Sequence, residues 1–231
     1  FIGDTLSYRK DVFLPRAGVL REINPGLSVY YSYAENTGSS NGLNFEQQPI
    51  KPESSRQHEL GVKALWLDGR LSATAAVFDL TKYNIASADP DHFGFNIGVG
   101  EVRSKGYELG LQGAITAHWQ VLFNHSHARP RVLVGSAGAN ALQPQSITAG
   151  ELLPFVSNRT TSFWTRYQFS PEADLGWAVG GGMHTASAAN PIEGAVIQPE
   201  SYTVVSAFAS YGLHIGGRPS LLQLNVNNLL D

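Results

Sequence analysis

Apolar and polar side chains alternate with a period of two along much of this chain. In the clearest run, Leu222, Leu224 and Val226 alternate with Gln223 and Asn225. The same alternation runs through residues 27–34, 59–66, 107–112 and 176–184. Residues two apart share one face of a strand, so each segment predicts a strand with an apolar face and a polar face. Glycine interrupts most of these windows, which disfavours the helical alternative.

Turn signals divide the segments into about ten strands joined by alternating short and long connections, the first strand being predicted at residues 12–22. Short turns are predicted at residues 24–26, 68–70, 116–118, 170–174 and 216–217, and long links at 37–54, 86–94, 130–154 and 187–200. An up-and-down barrel puts all short turns at one rim and all long loops at the other. The pattern therefore predicts an all-β fold, an antiparallel transmembrane β-barrel.

Composition agrees with a barrel and excludes several other classes. Charged residues make up only 15% of the 231 residues, and hydrophobic residues make up 42%. No stretch reaches the roughly 20 consecutive apolar residues of a membrane helix. The net charge of −3 offers no basic surface for phosphates, so no nucleic-acid partner is predicted. The absence of cysteine excludes disulfides, thiol catalysis and cysteine-ligated zinc.

Five phrases, in order along the chain, resemble the barrel of TonB-dependent receptors, specifically the ferric-siderophore branch of ferrichrome type. They are residues 50–63 (IKPE followed by QHELGVK), 71–85 (LSATAAVFDLTKYNI), 100–109 (GEVRSKGYEL), 201–205 (SYTVV) and 225–231 (NVNNLLD). The third is the most specific. The chain departs from the family pattern at Leu230, where the family has Phe, and at Ser206, where Asp is common.

The resemblance implies a location in the bacterial outer membrane, in contact with its lipid, and active uptake of a ferric siderophore driven by the TonB complex. The siderophore is then a transported ligand, and no cofactor is expected. Receptors of this kind have 22 strands around a plugged lumen. Residues 1–231 match neither the plug domain, nor the energy-coupling box that meets TonB, nor the final aromatic-ended strand. We therefore expect this chain to be a fragment, part of one larger barrel domain.

Two groups of side chains are candidates for functional contacts. On the polar strand faces, we predict a lumenal wall that contacts the plug, formed by Glu59, Lys63, Glu108, Gln112 and Arg166. The alternative is an ordinary wet barrel interior, which this fold has in any case.

In or beside the long links, four further residues could stack on a bulky chelate, namely Phe45, His92, Phe93 and Phe95. The alternative for these rings is an aromatic girdle at the membrane interface.

No catalytic or metal site is predicted. His125 and His127 lie two apart on one face of a predicted strand, but no third ligand is near in sequence, so we interpret them as polar residues near the loop-side end of that strand. The segment Gly98-Val99-Gly100 lacks a following helix and a third glycine, so it is no dinucleotide motif. The chain is therefore not expected to be an enzyme.

Two functions from other classes remain as alternatives to siderophore uptake. The first is a passive outer-membrane pore or structural barrel. The second is a soluble β-sandwich binding module, which needs a second sheet to cover the aromatic side of the strands. That side is predicted to carry Tyr31, Tyr33, Trp66, Tyr107, Trp119, Phe123, Phe163, Tyr167 and Trp177.

Overall fold

A computed structural model describes residues 11–38, 42–89, 92, 94–135, 149–170, 175–191 and 200–230 of the chain. It contains ten strands: β1 Arg16–Asn24, β2 Leu27–Gly38, β3 Glu53–Trp66, β4 Leu71–Ala88, β5 Asn96–Ala114, β6 Trp119–Val134, β7 Arg159–Gln168, β8 Gly176–Ala186, β9 Tyr202–Ile215 and β10 Arg218–Val226. In the described ranges, no helix is long and apolar enough to cross a membrane.

The ten strands form one antiparallel sheet in sequence order, from β1 at one edge to β10 at the other. The five hairpins β1–β2, β3–β4, β5–β6, β7–β8 and β9–β10 turn at one end, here called the short-turn rim. The other four connections lie at the opposite end, the long-loop rim. The β9–β10 hairpin turns at Gly216 and Gly217, which both have positive φ, as a two-residue type I′ turn requires. The predicted all-β, up-and-down order is confirmed.

Proline explains two of the places where strand ends differ from the sequence predictions. Strand β1 begins at Arg16 rather than residue 12, because Pro15 has no N–H to donate and suits the start of a strand. Strand β6 continues to Val134, although Pro130 was predicted to end it. The nitrogen of Pro130 points away from β5, to the side where β7 has already ended, so no ladder hydrogen bond is lost there.

The contrast in connection length is also weaker than predicted at one point. Strands β4 and β5 are 18 and 19 residues long, and they shorten the link between them to residues 89–95. That link is no longer than the β7–β8 connection, residues 169–175. Long strands that extend beyond the neighbouring strand ends are therefore part of the long-loop rim.

The register separates the sheet into two faces. Partners directly opposite each other on neighbouring strands share a face, and Tyr31, Leu60, Val77 and Tyr107 are linked in this way. This aromatic face carries all nine rings predicted for it. The opposite, polar face carries the alternating Ser, Thr, Asn and Gln side chains, with Thr74, Gly110, Asn124 and Ser162 in successive strands.

A soluble β-sandwich is ruled out for the described residues, because all ten strands belong to one sheet and none forms a second layer. Leu60, Trp66 and Trp177 on the aromatic face are each more than half exposed. In water such a surface favours aggregation, whereas lipid covers it in a barrel. The fold is therefore a barrel wall whose apolar side is solvated by lipid.

Candidate functional site

The five predicted wall residues lie on the polar face. Glu59 and Lys63 belong to β3, Glu108 and Gln112 to β5, and Arg166 to β7. Lys63 is paired with Thr74, and Thr74 with Gly110, which lies midway between Glu108 and Gln112. Glu108 and Gln112 are exposed, as a contact to a plug requires. That these residues line a lumen and contact a plug stays a prediction.

Glu59 and Lys63 are connected through a third side chain, Tyr30 of β2. The Tyr30 hydroxyl donates a 2.6 Å hydrogen bond to Glu59 Oε1, and Gln57 Nε2 donates one of 3.1 Å to Glu59 Oε2. Lys63 Nζ lies 5.1 Å from the centre of the Tyr30 ring, within the range of a cation–π contact. Among the described groups, no ion pair within 4 Å joins Glu59 directly to Lys63. The carboxylate therefore already has partners, while the ammonium is free to meet an incoming acceptor.

Arg166 lines a hollow on the polar face. Its Nη2 donates a 2.6 Å hydrogen bond to Gln168 Oε1. The hollow is open, has a volume of about 310 Å³ and is bordered by Trp164, Gln120 and Leu122 as well. An apolar depression with one guanidinium at its side suits a protein side chain with an acceptor group. It is too shallow to enclose a bulky chelate.

The predicted loop aromatics meet at the long-loop rim, although they come from two different connections. Phe45 lies in the β2–β3 link, while His92 and Phe95 lie in the β4–β5 link. The Phe45 and His92 rings are stacked, with centroids 3.7 Å apart and planes 20° apart. The Phe95 ring meets Phe45 edge-on at 5.4 Å. Phe93, the fourth predicted residue, lies outside the described residues.

Backbone bonds hold the two connections together beneath these rings. The Asn96 N–H donates to the Leu43 carbonyl at 2.9 Å. His92 Nδ1 lies 3.1 Å from Asp89 Oδ2, and Asp89 is only 8% exposed. The Phe45 side chain, by contrast, is 55% exposed. The cluster therefore presents one outward aromatic surface on a supported base, and ligand contact there stays a prediction.

The histidine pair of β6 lies on the aromatic face. His125 Nδ1 lies 2.7 Å from Thr161 Oγ1. The rings of His125 and His127 both contact the Tyr107 ring, with centroid distances of 5.7 and 5.4 Å. Within the described part of the chain, no group of three or more His, Cys, Asp or Glu side chains could hold a metal ion. The pair therefore forms, with Tyr107, a group of three rings on the aromatic face.

Sequence reasoning missed two residues that contact the predicted ones. The alternation assigns Tyr30 to the polar face, but only the register reveals that its ring lies across Gly61 and reaches Glu59 and Lys63. Asp89 was also missed, although its position three residues before His92 was a usable signal for a side-chain contact.

Comparisons with known proteins agree with this geometry. A sequence model of the family described as TonB dependent receptor-like, beta-barrel matches residues 2–229. The metal-pseudopaline receptor CntO of Pseudomonas aeruginosa is 29% identical over 94% of this chain and 29% of its own length. The ferrichrome outer membrane transporter/phage receptor of Escherichia coli is 29% identical over 100% of this chain and 30% of its own length.

Solved structures give the same result. The siderophore receptor PiuA from Acinetobacter baumannii matches with a TM-score of 0.71 at 26% identity, over 93% of this chain and 31% of that one. The ferric-catecholate import receptor Fiu of Escherichia coli matches with a TM-score of 0.68 at 27% identity, over 94% of this chain and 30% of that one. The chain spans about 30% of the length of these relatives. With the family match over residues 2–229, these likenesses confirm the resemblance seen in the sequence: the chain belongs to the family of TonB-dependent receptor β-barrels, which are proteins of the bacterial outer membrane.

Proposed function

We propose that this chain forms barrel wall and extracellular loops of a receptor that imports a ferric siderophore across the outer membrane. The family match over residues 2–229 is the observation that carries the proposal. Three of the relatives are named as a metal-pseudopaline receptor, a ferrichrome transporter and a siderophore receptor. In this role, the long-loop rim faces the outside and the short-turn rim faces the periplasm.

The polar face supports a role as the wall around a plug. Such a plug has to be held while the receptor is idle and released when TonB pulls on it. Hydrogen bonds and ion pairs at a wet interface suit this, because each contributes little and water replaces them readily. The unpaired ammonium of Lys63, the exposed carboxylate of Glu108 and the exposed amide of Gln112 are contacts of this kind.

The plug, the energy-coupling segment and the remaining strands belong, in this proposal, to a longer protein that contains residues 1–231 as one part of its barrel domain. Two features support that arrangement. The relatives are about three times as long, as the 30% coverage implies. The outer sides of β1 and β10 have no strand partner among the described residues, and an open sheet edge is untenable in lipid.

The aromatic cluster at the long-loop rim is the proposed ligand contact. One side of the Phe45 ring is covered by His92, and more than half of the side chain is exposed. A ferric siderophore is a rounded chelate with flat apolar faces and carbonyl acceptors, so a ring on a supported base can stack on it. The same cluster offers an imidazole for hydrogen bonding.

The direct test is uptake of radioactive iron by cells that produce the full-length receptor and lack their own siderophore receptors. The chelates to supply are hydroxamate, catecholate, pyoverdine and pseudopaline types, because relatives named for these ligands are about equally similar to this chain. We expect uptake of at least one chelate that stops when TonB is deleted. Uptake that persists without TonB indicates a passive pore and contradicts the proposal.

The ligand contact is tested by the Phe45→Ala/His92→Ala double variant. We expect the affinity for the imported chelate to fall at least tenfold, about 1.4 kcal/mol, since an aromatic contact contributes that order of energy. The matched control is Phe169→Ala, because Phe169 is 56% exposed, against 55% for Phe45, and lies at the short-turn rim. An unchanged affinity in the double variant refutes the contact while leaving import itself intact.

A further inference from the structure

Two connections at the long-loop rim are joined by one buried amide. The β6–β7 link runs from residue 135 to residue 158, and the β8–β9 link from residue 187 to residue 201. Asn190, in the second link, is only 7% exposed, although asparagine is mostly a surface residue. A buried amide is costly unless its donors and acceptors are satisfied, so its partners show what holds it in place.

Asn190 forms five hydrogen bonds with described residues, and all five reach the β6–β7 link. Its backbone N–H donates to the Val156 carbonyl at 3.1 Å, and its carbonyl accepts from the Phe155 N–H at 2.9 Å. Its Nδ2 donates to the Leu153 carbonyl at 2.9 Å and to Asn158 Oδ1 at 3.2 Å. Asn158 Nδ2 returns a 2.6 Å bond to Asn190 Oδ1. Every donor of Asn190 is thus used, and we call the two asparagines the amide clasp.

The clasp holds Phe155 in an unfavourable backbone conformation. The chain turns at Pro154 and Phe155, and φ of Phe155 is 60°. A proline followed by a residue with positive φ is the pattern of a type II turn, in which that second residue is usually Gly or Asn. A bulky side chain in this region is strained. Because Phe155 is 61% exposed, packing of its ring does not account for the strain.

The strained turn lies between two segments that are tied to β6. Before the turn, the Leu153 N–H donates to the Pro130 carbonyl at 2.8 Å. After the turn, the Ala128 N–H donates to the Asn158 carbonyl at 2.9 Å. The ends of the turn are therefore fixed, and the bonds to Asn190 are what keep its middle in the strained form.

We propose that the amide clasp is a two-state device that makes the two links open and close together. In the closed state the clasp holds Phe155 in its strained conformation with the ring exposed. In the open state both links are released and the strain is lost. A group that binds the Phe155 ring in only one state therefore shifts the other link as well. That this rim faces the outside rests on the proposed function, whereas the coupling of the two links does not.

Residue-resolved hydrogen exchange of the full-length receptor in lipid nanodiscs tests the coupling. In Asn190→Ala, we expect the Phe155 amide, in the other link, to exchange about tenfold faster, because the lost side-chain hydrogen bonds stabilise the closed state. In Asn158→Ala, the Asn190 amide should accelerate to a similar extent. The double variant should exchange at Phe155 no faster than Asn190→Ala, which already removes the pair. Variants that accelerate exchange only in their own link overturn the proposal.

Asn44→Ala is the matched control, because the Asn44 side chain bonds within a single link. Its Oδ1 accepts from the Gln48 N–H at 2.8 Å in the β2–β3 link. We expect faster exchange at Gln48 and no change at Phe155 or Asn190. If the clasp variants accelerate the amides of β6 and β8 as much as those of the links, the loss of stability is global and the proposal is overturned.

The strain is tested by two changes at Phe155, measured at the Asn190 amide. Phe155→Ala removes the ring but keeps the Cβ, whereas Phe155→Gly also removes the steric cost of positive φ. We expect roughly threefold slower exchange in Phe155→Gly than in Phe155→Ala, because that steric cost exceeds the extra freedom of glycine in the open state. Equal rates show that no strain is stored and overturn the two-state device. None of these readouts depends on siderophore import.

Discussion

Aromatic rings occupy both faces of this sheet, but their neighbours differ. On the aromatic face, Trp66, Tyr107 and Trp177 are 40–56% exposed, and lipid is the partner that covers them. On the polar face, four of the five large rings in the described strands lie opposite a glycine of a neighbouring strand, and the fifth, Tyr202, lies opposite Ala186. The pairs are Tyr30 with Gly61, Phe78 with Gly106, Trp164 with Gly182 and Phe208 with Gly180.

The difference shows that aromatic side chains are accommodated in two different ways in one sheet. A ring that faces lipid needs no partner in the protein, because the bilayer supplies the apolar contact. A ring that faces water gains by lying flat over its neighbour, and only a glycine leaves room for it. At Gly61 an added Cβ would lie 2.6 Å from the Tyr30 ring. These glycines are thus the counterparts of rings on the polar face.

The largest expected effect comes from a charge placed on the aromatic face of β5. Leu109 is on that face at mid-depth, opposite Ala75. Leu109→Lys should reduce the free energy of unfolding by about 2–4 kcal/mol, the cost of lysine near the bilayer midplane. Urea unfolding of the full-length receptor in lipid vesicles measures it.

Asn124→Lys is the matched control, with the same new side chain on the polar face of β6, opposite Gly110, which is the residue after Leu109. We expect a change of less than about 0.5 kcal/mol, because a solvated side chain is replaced by another. If the two variants lose equal stability, the aromatic face is not the one that meets lipid, and the assignment of the two faces is wrong.

A smaller loss of stability is expected when a methyl group is added to a glycine that lies under an aromatic ring. In Gly182→Ala, the new methyl group would collide with the Phe163 carbonyl oxygen and the Trp164 ring. Overpacking of this kind costs about 1–3 kcal/mol, and the unfolding temperature of the receptor should fall accordingly. Gly38→Ala is the control, since nothing lies within 4 Å of a Cβ there. Equal unfolding temperatures for both variants would show that the wall tolerates a side chain under the ring.

Much of this comparison was predictable from the sequence, and the rest depended on register. The period of two assigns Tyr107 and Glu108 to opposite faces without any structure. It cannot say that Tyr30 lies opposite Gly61, because the offset between two strands depends on turn geometry and on where each loop ends. The stack of Phe45 on His92 was beyond sequence reasoning for the same reason, since it joins two separate connections. The prediction that β6 ends at Pro130 was wrong. Whether the missing N–H of a proline removes a ladder hydrogen bond depends on which neighbouring strand its nitrogen faces, and the sequence does not give that.

The smallest expected effect tests whether the rings of the polar face also hold charged groups. Tyr30→Phe keeps the ring over Gly61 and beside Lys63 but removes the donor to Glu59 Oε1. One hydrogen bond of this kind contributes about 0.5–1.5 kcal/mol to the free energy of unfolding. A double-mutant cycle with Glu59→Ala, which removes the acceptor, isolates it, and we expect a coupling energy of that size. If the two changes are additive, the hydroxyl does not hold the carboxylate, and Tyr30 acts on this face through its ring alone.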